Sequence, residues 1–116
     1  MRRGSLRPVQ PAMVIQWLKL PGHDAEAQIL ALPTPQRDKA LAQLWRFSNY
    51  SKTQFRIKPT YVDGVFEAKL GDLRLLFTYG KNSVVWCIGG FVKTDTQHGN
   101  RKLGSYSTIA QAARNL

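Results

Sequence analysis

VFEAKLGDLRLLFTYGKNSVVWCIGGFVKTD, residues 65–95, holds three strand-like runs separated by two short turns. In the first run Phe66, Ala68 and Leu70 alternate with Glu67 and Lys69. In the second, Leu73, Leu75, Phe77 and Tyr79 alternate with Arg74, Leu76 and Thr78. A period of two is the signature of strands with one face buried and one face wet. A two-residue turn at Gly71-Asp72 sets Leu70 opposite Leu73 and Lys69 opposite Arg74. "GKNS" makes the next turn. "VVWCIGGFV" is apolar enough for a central strand, and Gly89-Gly90 marks a bulge or a close backbone approach near its end. The pairing of Lys69 with Arg74 is the anomaly. Like charges placed directly across a hairpin destabilise it unless something anionic comes to sit there.

The chain on either side completes an α+β pattern. "MVIQWLKL" (13–20) reads as a first strand closed by Pro21-Gly22. Asp24 caps a helix reaching Leu32, with Ala25, Ile29 and Leu32 on one face, and Pro33 stops it. Thr34-Pro35 opens a second helix that runs to about Phe47 with Ala40, Leu41, Leu44 and Trp45 as its apolar stripe. "SKTQFRIKPT" (51–60) interleaves Arg56 and Lys58 with Phe55 and Ile57. "TDTQHGNRKLGS" (94–105) reads as a polar loop, and "YSTIAQAARNL" (106–116) as a closing helix docked through Ile109, Ala112 and Ala113. The expected fold is α+β: a curved antiparallel sheet, two N-terminal helices on one face and a short C-terminal helix. Residues 1–12 read as a flexible basic arm and 13–116 as a single domain. The sheet's second face is expected to be open, with Lys69 and Arg74 pointing into it.

Composition narrows the function. Seventeen Lys and Arg against seven Asp and Glu give a formal net charge of +10, a balance that attracts polyanions. Three of those cations lie in the arm, so the signal does not depend on it. There is no apolar run of membrane-spanning length and no basic amphipathic helix with a bulky apolar face, which argues for a cytoplasmic protein without a membrane partner. One cysteine, Cys87, and two histidines, His23 and His98, leave no zinc-type ligand set, so no metal is expected. Glycine-rich phosphate loops, CxxC, HExxH and GxSxG are all absent, and no cofactor is implied. Asp63, Glu67 and Asp72 lie near turns and read as solvated acids. An enzyme built on this chain would work with basic groups. Arg56 and Lys58 before the sheet and Lys93 after its last strand are placed to join Lys69 and Arg74, forming a cluster suited to a phosphodiester and to the charge that grows on it during attack.

The same stretch resembles the sheet of RelE-superfamily toxins, in particular their HigB-like, phage-derived branch. A strand with a basic residue near its end, an Arg-led strand ("LRLLF") and an apolar strand ending "GFVK" follow one another, after two helices and before a short Ala-containing one. The resemblance covers Met13 to Leu116 in layout and Glu67 to Lys93 in motif. It implies a RelE-like fold and the toxin of a type II toxin–antitoxin pair: a metal-independent, ribosome-dependent mRNA endoribonuclease that turns a 2′-hydroxyl onto the adjacent phosphate. Arg74 matches the arginine that stabilises the phosphate. Lys69 matches the basic residue of the preceding strand, a phosphate binder and candidate general base, and Lys93 matches the lysine that positions substrate. Thr94 stands where many relatives carry a second basic residue. His98 and Tyr106 are the candidates for the acid/base position that a tyrosine fills in RelE-type enzymes. The implied partners are mRNA on the ribosome and a cognate antitoxin with an acidic contact segment, which in such pairs often carries a helix-turn-helix. The alternative on the same scaffold is a degenerate toxin, a basic module that binds RNA or ribosomes without cutting.

Overall fold

The structure, a computed structural model, describes residues 14–49 and 57–116. The arm at 1–12, together with Arg56, Lys52 and Phe55, lies outside the described residues. In chain order the elements are β1 (Val14–Trp17), β2 (Lys19–Leu20), β3 (His23–Asp24), α1 (Ala25–Leu30), α2 (Thr34–Asn49), β4 (Lys58–Pro59), β5 (Phe66–Leu70), β6 (Leu73–Tyr79), β7 (Val84–Val92), α3 (Thr96–Gly104) and α4 (Ser107–Arg114). None of these helices is long and apolar enough to cross a membrane.

Five strands form one sheet in the order β1-β7-β6-β5-β4. The β5–β6–β7 meander is antiparallel, with Leu70 opposite Leu73 and Lys69 opposite Arg74 as the Gly71-Asp72 turn requires. The sheet is not wholly antiparallel, because β1 runs parallel to β7 from Val14↔Val84 to Trp17↔Cys87. The expected first strand also divides. Leu18 is buried at the break, and Lys19–Leu20 folds onto His23–Asp24 around Pro21-Gly22. Asp24 then caps α1, its carboxylate accepting the Ala27 N–H at 3.1 Å. In α2 the buried stripe is Ala40, Leu44 and Phe47, at i, i+4 and i+7. Trp45, expected in that stripe, is 57% exposed.

Helices cover both faces. On one, Ile29 of α1 and Ala40, Leu44 and Phe47 of α2 pack with Ala68, Leu73, Leu75, Phe77 and Cys87. On the other, Leu103 of α3 and Ala110 and Ala113 of α4 pack with Leu76, Ile88 and Phe91. The second face is therefore not open. Leu76 and Thr78, expected outward, have no exposed surface. The polar loop expected at 94–105 is instead mostly α3, started by the Asp95 carboxylate, which accepts the His98 N–H at 2.8 Å.

A bulge in β7 shapes this second face. Leu76 pairs with Gly89 and Phe77 with Cys87, so Ile88 is the extra residue. Gly89 has φ +149°, and a Cβ there would collide with the Gln28 amide and the Tyr106 hydroxyl. Such bulges bend and further twist the strand that carries them.

Candidate functional site

Where α4 stops covering the second face, the sheet's polar residues gather in a cleft. Residues two apart on a strand share a face, so Glu67 and Lys69 project together from β5. Arg74 is opposite Lys69, and Phe91 of β7 is opposite Arg74, which puts all four on one side of the sheet. The Lys93 N–H donates to the Asp72 carbonyl at 2.8 Å, tying the end of β7 to the hairpin tip. Across from these strands stands α3. A Cβ on its buried Gly99 would lie 3.3 Å from Lys93 Cδ, so the lysine stem packs close against the helix at this position. The cleft has a volume of about 120 Å³, with Glu67, Lys69, Arg74 and Lys93 on one side and Thr96 and Asn100 of α3 on the other.

Arg74 is anchored rather than freely mobile. Its Nη1 donates to the Gly71 carbonyl, and to the Leu73 carbonyl at 3.2 Å. Its Nε lies 3.6 Å from Glu67 Oε1. The residue is only 9% exposed, a correction to the expected open position: it forms a wall of the cleft, with α3 opposite. A guanidinium held this way loses little freedom on meeting an anion, and electrostatic stabilisation is strongest when the donor is already oriented. Lys69, beside it, is exposed. With three cations and one carboxylate, the cleft carries a net positive charge.

The other expected site residues separate into groups. Lys58 is exposed on β4, in register with Glu67, at the margin of the same face and outside the cleft lining. His98 sits on α3 with its ring edge-on to Phe91, centroids 5.8 Å apart, and its Nδ1 accepts the Thr94 N–H at 3.2 Å. It adjoins the rim without lining the cleft. Tyr106 must be withdrawn. It is 3% exposed in the core, its hydroxyl donates to Gln28 Oε1 at 2.7 Å, and burial pushes its pKa up to about 12. The segment before it, expected as a polar loop, is helical instead.

No protein-family model matches the chain, and no curated protein matches it. Among solved structures it is similar to a chain of the RelBE2 toxin–antitoxin complex from Mycobacterium tuberculosis, at 22% identity and a TM-score of 0.42. That match covers 61% of this chain and 84% of the other.

Sequence reasoning missed Glu67 and the α3 wall. Glu67 reads as a solvated turn acid, yet its side chain is only 12% exposed. The available signal was diagonal. Glu67 pairs with Leu76, two residues from Arg74, and long side chains bridge such diagonals. Thr96 and Asn100 had no comparable signal, because they reach the cleft only once residues 96–104 are helical.

Proposed function

We propose that the cleft binds a phosphodiester of RNA, and that the chain is the toxin of a type II toxin–antitoxin pair, of the RelE superfamily and its HigB-like, phage-derived branch. In this reading it is a metal-independent endoribonuclease that cuts mRNA on the ribosome in the cytoplasm. The observation carrying the proposal is the convergence of Lys69, Arg74 and Lys93 on one small cleft around a guanidinium already held by turn carbonyls and a carboxylate. Like charges packed together raise the free energy of the empty site, and a phosphate relieves that repulsion.

Cleavage in this reading is attack by a 2′-oxygen on the neighbouring phosphorus, giving a cyclic phosphate and a free 5′-oxygen. Arg74 stabilises the negative charge that builds on the phosphoryl oxygens. Lys69 holds the ground-state phosphate from the exposed side. Lys93, with its stem against Gly99, positions the strand between sheet and helix. Lys58, at the margin of the same face, extends the basic track along the backbone. The cognate antitoxin is a protein whose acidic segment competes for these cations.

The test is to incubate purified protein with ribosomes programmed with mRNA and to map new 5′ ends, for wild type and for Arg74→Ala. Cutting by wild type and its loss in the variant support the reading. RNA binding that weakens steeply with salt, with no new ends, would instead identify a non-catalytic module.

A further inference from the structure

We propose that Glu67 is the catalytic base that takes the proton from the attacking 2′-hydroxyl, an inference that rests on the endoribonuclease reading above. Such an attack needs a proton acceptor beside the phosphate. Among the described residues of the cleft, Lys69, Arg74 and Lys93 are cations with no lone pair to offer. The Thr96 hydroxyl and Asn100 amide are neutral and weakly basic. His98 already commits Nδ1 to the Thr94 N–H, which leaves the ring proton on Nε2, and Tyr106 is in the core. Among the described residues, Glu67 is the one carboxylate lining the cleft.

Its position suits the step. The 2′-oxygen and the phosphorus it attacks belong to one nucleotide and approach within roughly 3–3.5 Å before reaction. The base and the phosphate-binding donor must therefore stand side by side, as Glu67 Oε1 and Arg74 Nε do at 3.6 Å. The ion pair also sets off the carboxylate's repulsion of the incoming phosphate. Around Glu67 stand Lys58 on β4, Lys69 on its own strand, Arg74 on β6 and Lys93 beyond β7, while the α3 residues lining the cleft are uncharged. In the reaction the 2′-O–H bond breaks and its proton passes to a Glu67 oxygen. The O2′–P bond forms and the P–O5′ bond breaks. The leaving 5′-oxygen takes a proton from water at the cleft mouth, and Glu67 returns its own to solvent.

Glu67→Gln separates this role from a positioning one, because the isosteric amide still fills the place beside Arg74 Nε yet takes up no proton. Single-turnover cleavage of ribosome-bound mRNA should fall by ~10²–10⁴-fold. Affinity for an mRNA carrying a 2′-deoxy residue at the cut site should hold or tighten, since a negative charge has left the cleft. The acid limb of the wild-type pH–rate profile should disappear. Glu67→Asp, which keeps a carboxylate on a shorter stem, should recover part of the rate. If wild type cuts and Glu67→Gln cuts at a similar rate, or loses affinity in step with rate while its pH profile is unchanged, the proposal is overturned and the endoribonuclease reading stands. If wild type makes no cut, both fall together.

Discussion

The two faces of the β5–β6 hairpin are made from alternate residues of the same dozen positions, yet they do opposite work. Leu73, Leu75 and Phe77 face α1 and α2 in a dry core that includes a T-shaped Phe47–Phe77 contact with centroids 5.6 Å apart. Arg74 and Leu76, interleaved with them, face the other way. Leu76 packs beneath α4, while Arg74 lines the cleft with Glu67 and Lys69. The apolar face fixes the register, since a slip of one residue would exchange the faces completely. That fixed register is what holds two cations side by side against their repulsion. In energetic terms, stability is concentrated on the first face, and the second can carry an unfavourable arrangement because the first supports it.

The sharpest way to break this contrast is Phe77→Ala. It should cost ~3–5 kcal/mol in denaturant unfolding, a large share of the stability of so small a domain, and should remove RNA binding along with the fold. Arg74→Ala, one side of the strand over, should leave a cooperatively folding protein by calorimetry while lowering cleavage by ~10²–10³-fold. If Arg74→Ala proved as unstable as Phe77→Ala, the division of labour between the faces would not exist.

Two weaker perturbations test the covered part of the second face. The Tyr106 pKa is raised by burial to about 12, so above the unfolded value near 10 the unfolded chain loses its proton first. The stability gained from keeping the phenol neutral is complete below pH 10 and is lost as pH rises toward 12. Tyr106→Phe should therefore flatten the alkaline decline in stability by on the order of 2 kcal/mol between those limits, as measured by urea unfolding against pH. Asp95→Ala removes the cap of α3 and should cost ~1 kcal/mol. Because α3 is the far wall of the cleft, the KM for programmed ribosomes should rise while the α2-side core, probed by hydrogen exchange at Phe77 and Leu75, stays protected.

What could be read from the sequence follows the range of the interactions involved. The hairpin, its register and the Lys69–Arg74 juxtaposition depend on a two-residue turn and a period of two, both local. The bulge signalled by Gly89-Gly90 is local as well. The parallel pairing of β1 with β7 joins residues some seventy positions apart, and nothing in "MVIQWLKL" specifies a partner or a direction. Residues 94–105 look like a loop because Gly99, Asn100 and Gly104 are poor helix formers. They are helical because Asp95 caps them and Leu103 reaches the core. The cover over Leu76 is just as hard to foresee: Ala110 and Ala113 offer a small, weak stripe whose value comes from how closely it allows α4 to approach.

The Gln28 side chain has a consequence of its own. Its Oε1 accepts both the Tyr106 hydroxyl and the Gly90 N–H, so one amide on α1 joins the bulge of β7 to the residue that opens α4. Together with the β1–β7 pairing, this leaves β1 without its strand partner and Gln28 without its two donors until residues 84–106 have been translated and have left the exit tunnel. Non-local closure of this kind is slow relative to the assembly of helical bundles. A nascent chain stalled before that point has neither β7 beside β1 nor a helix across from Arg74, so the cleft takes shape only after the residues of β7 and α3 have emerged.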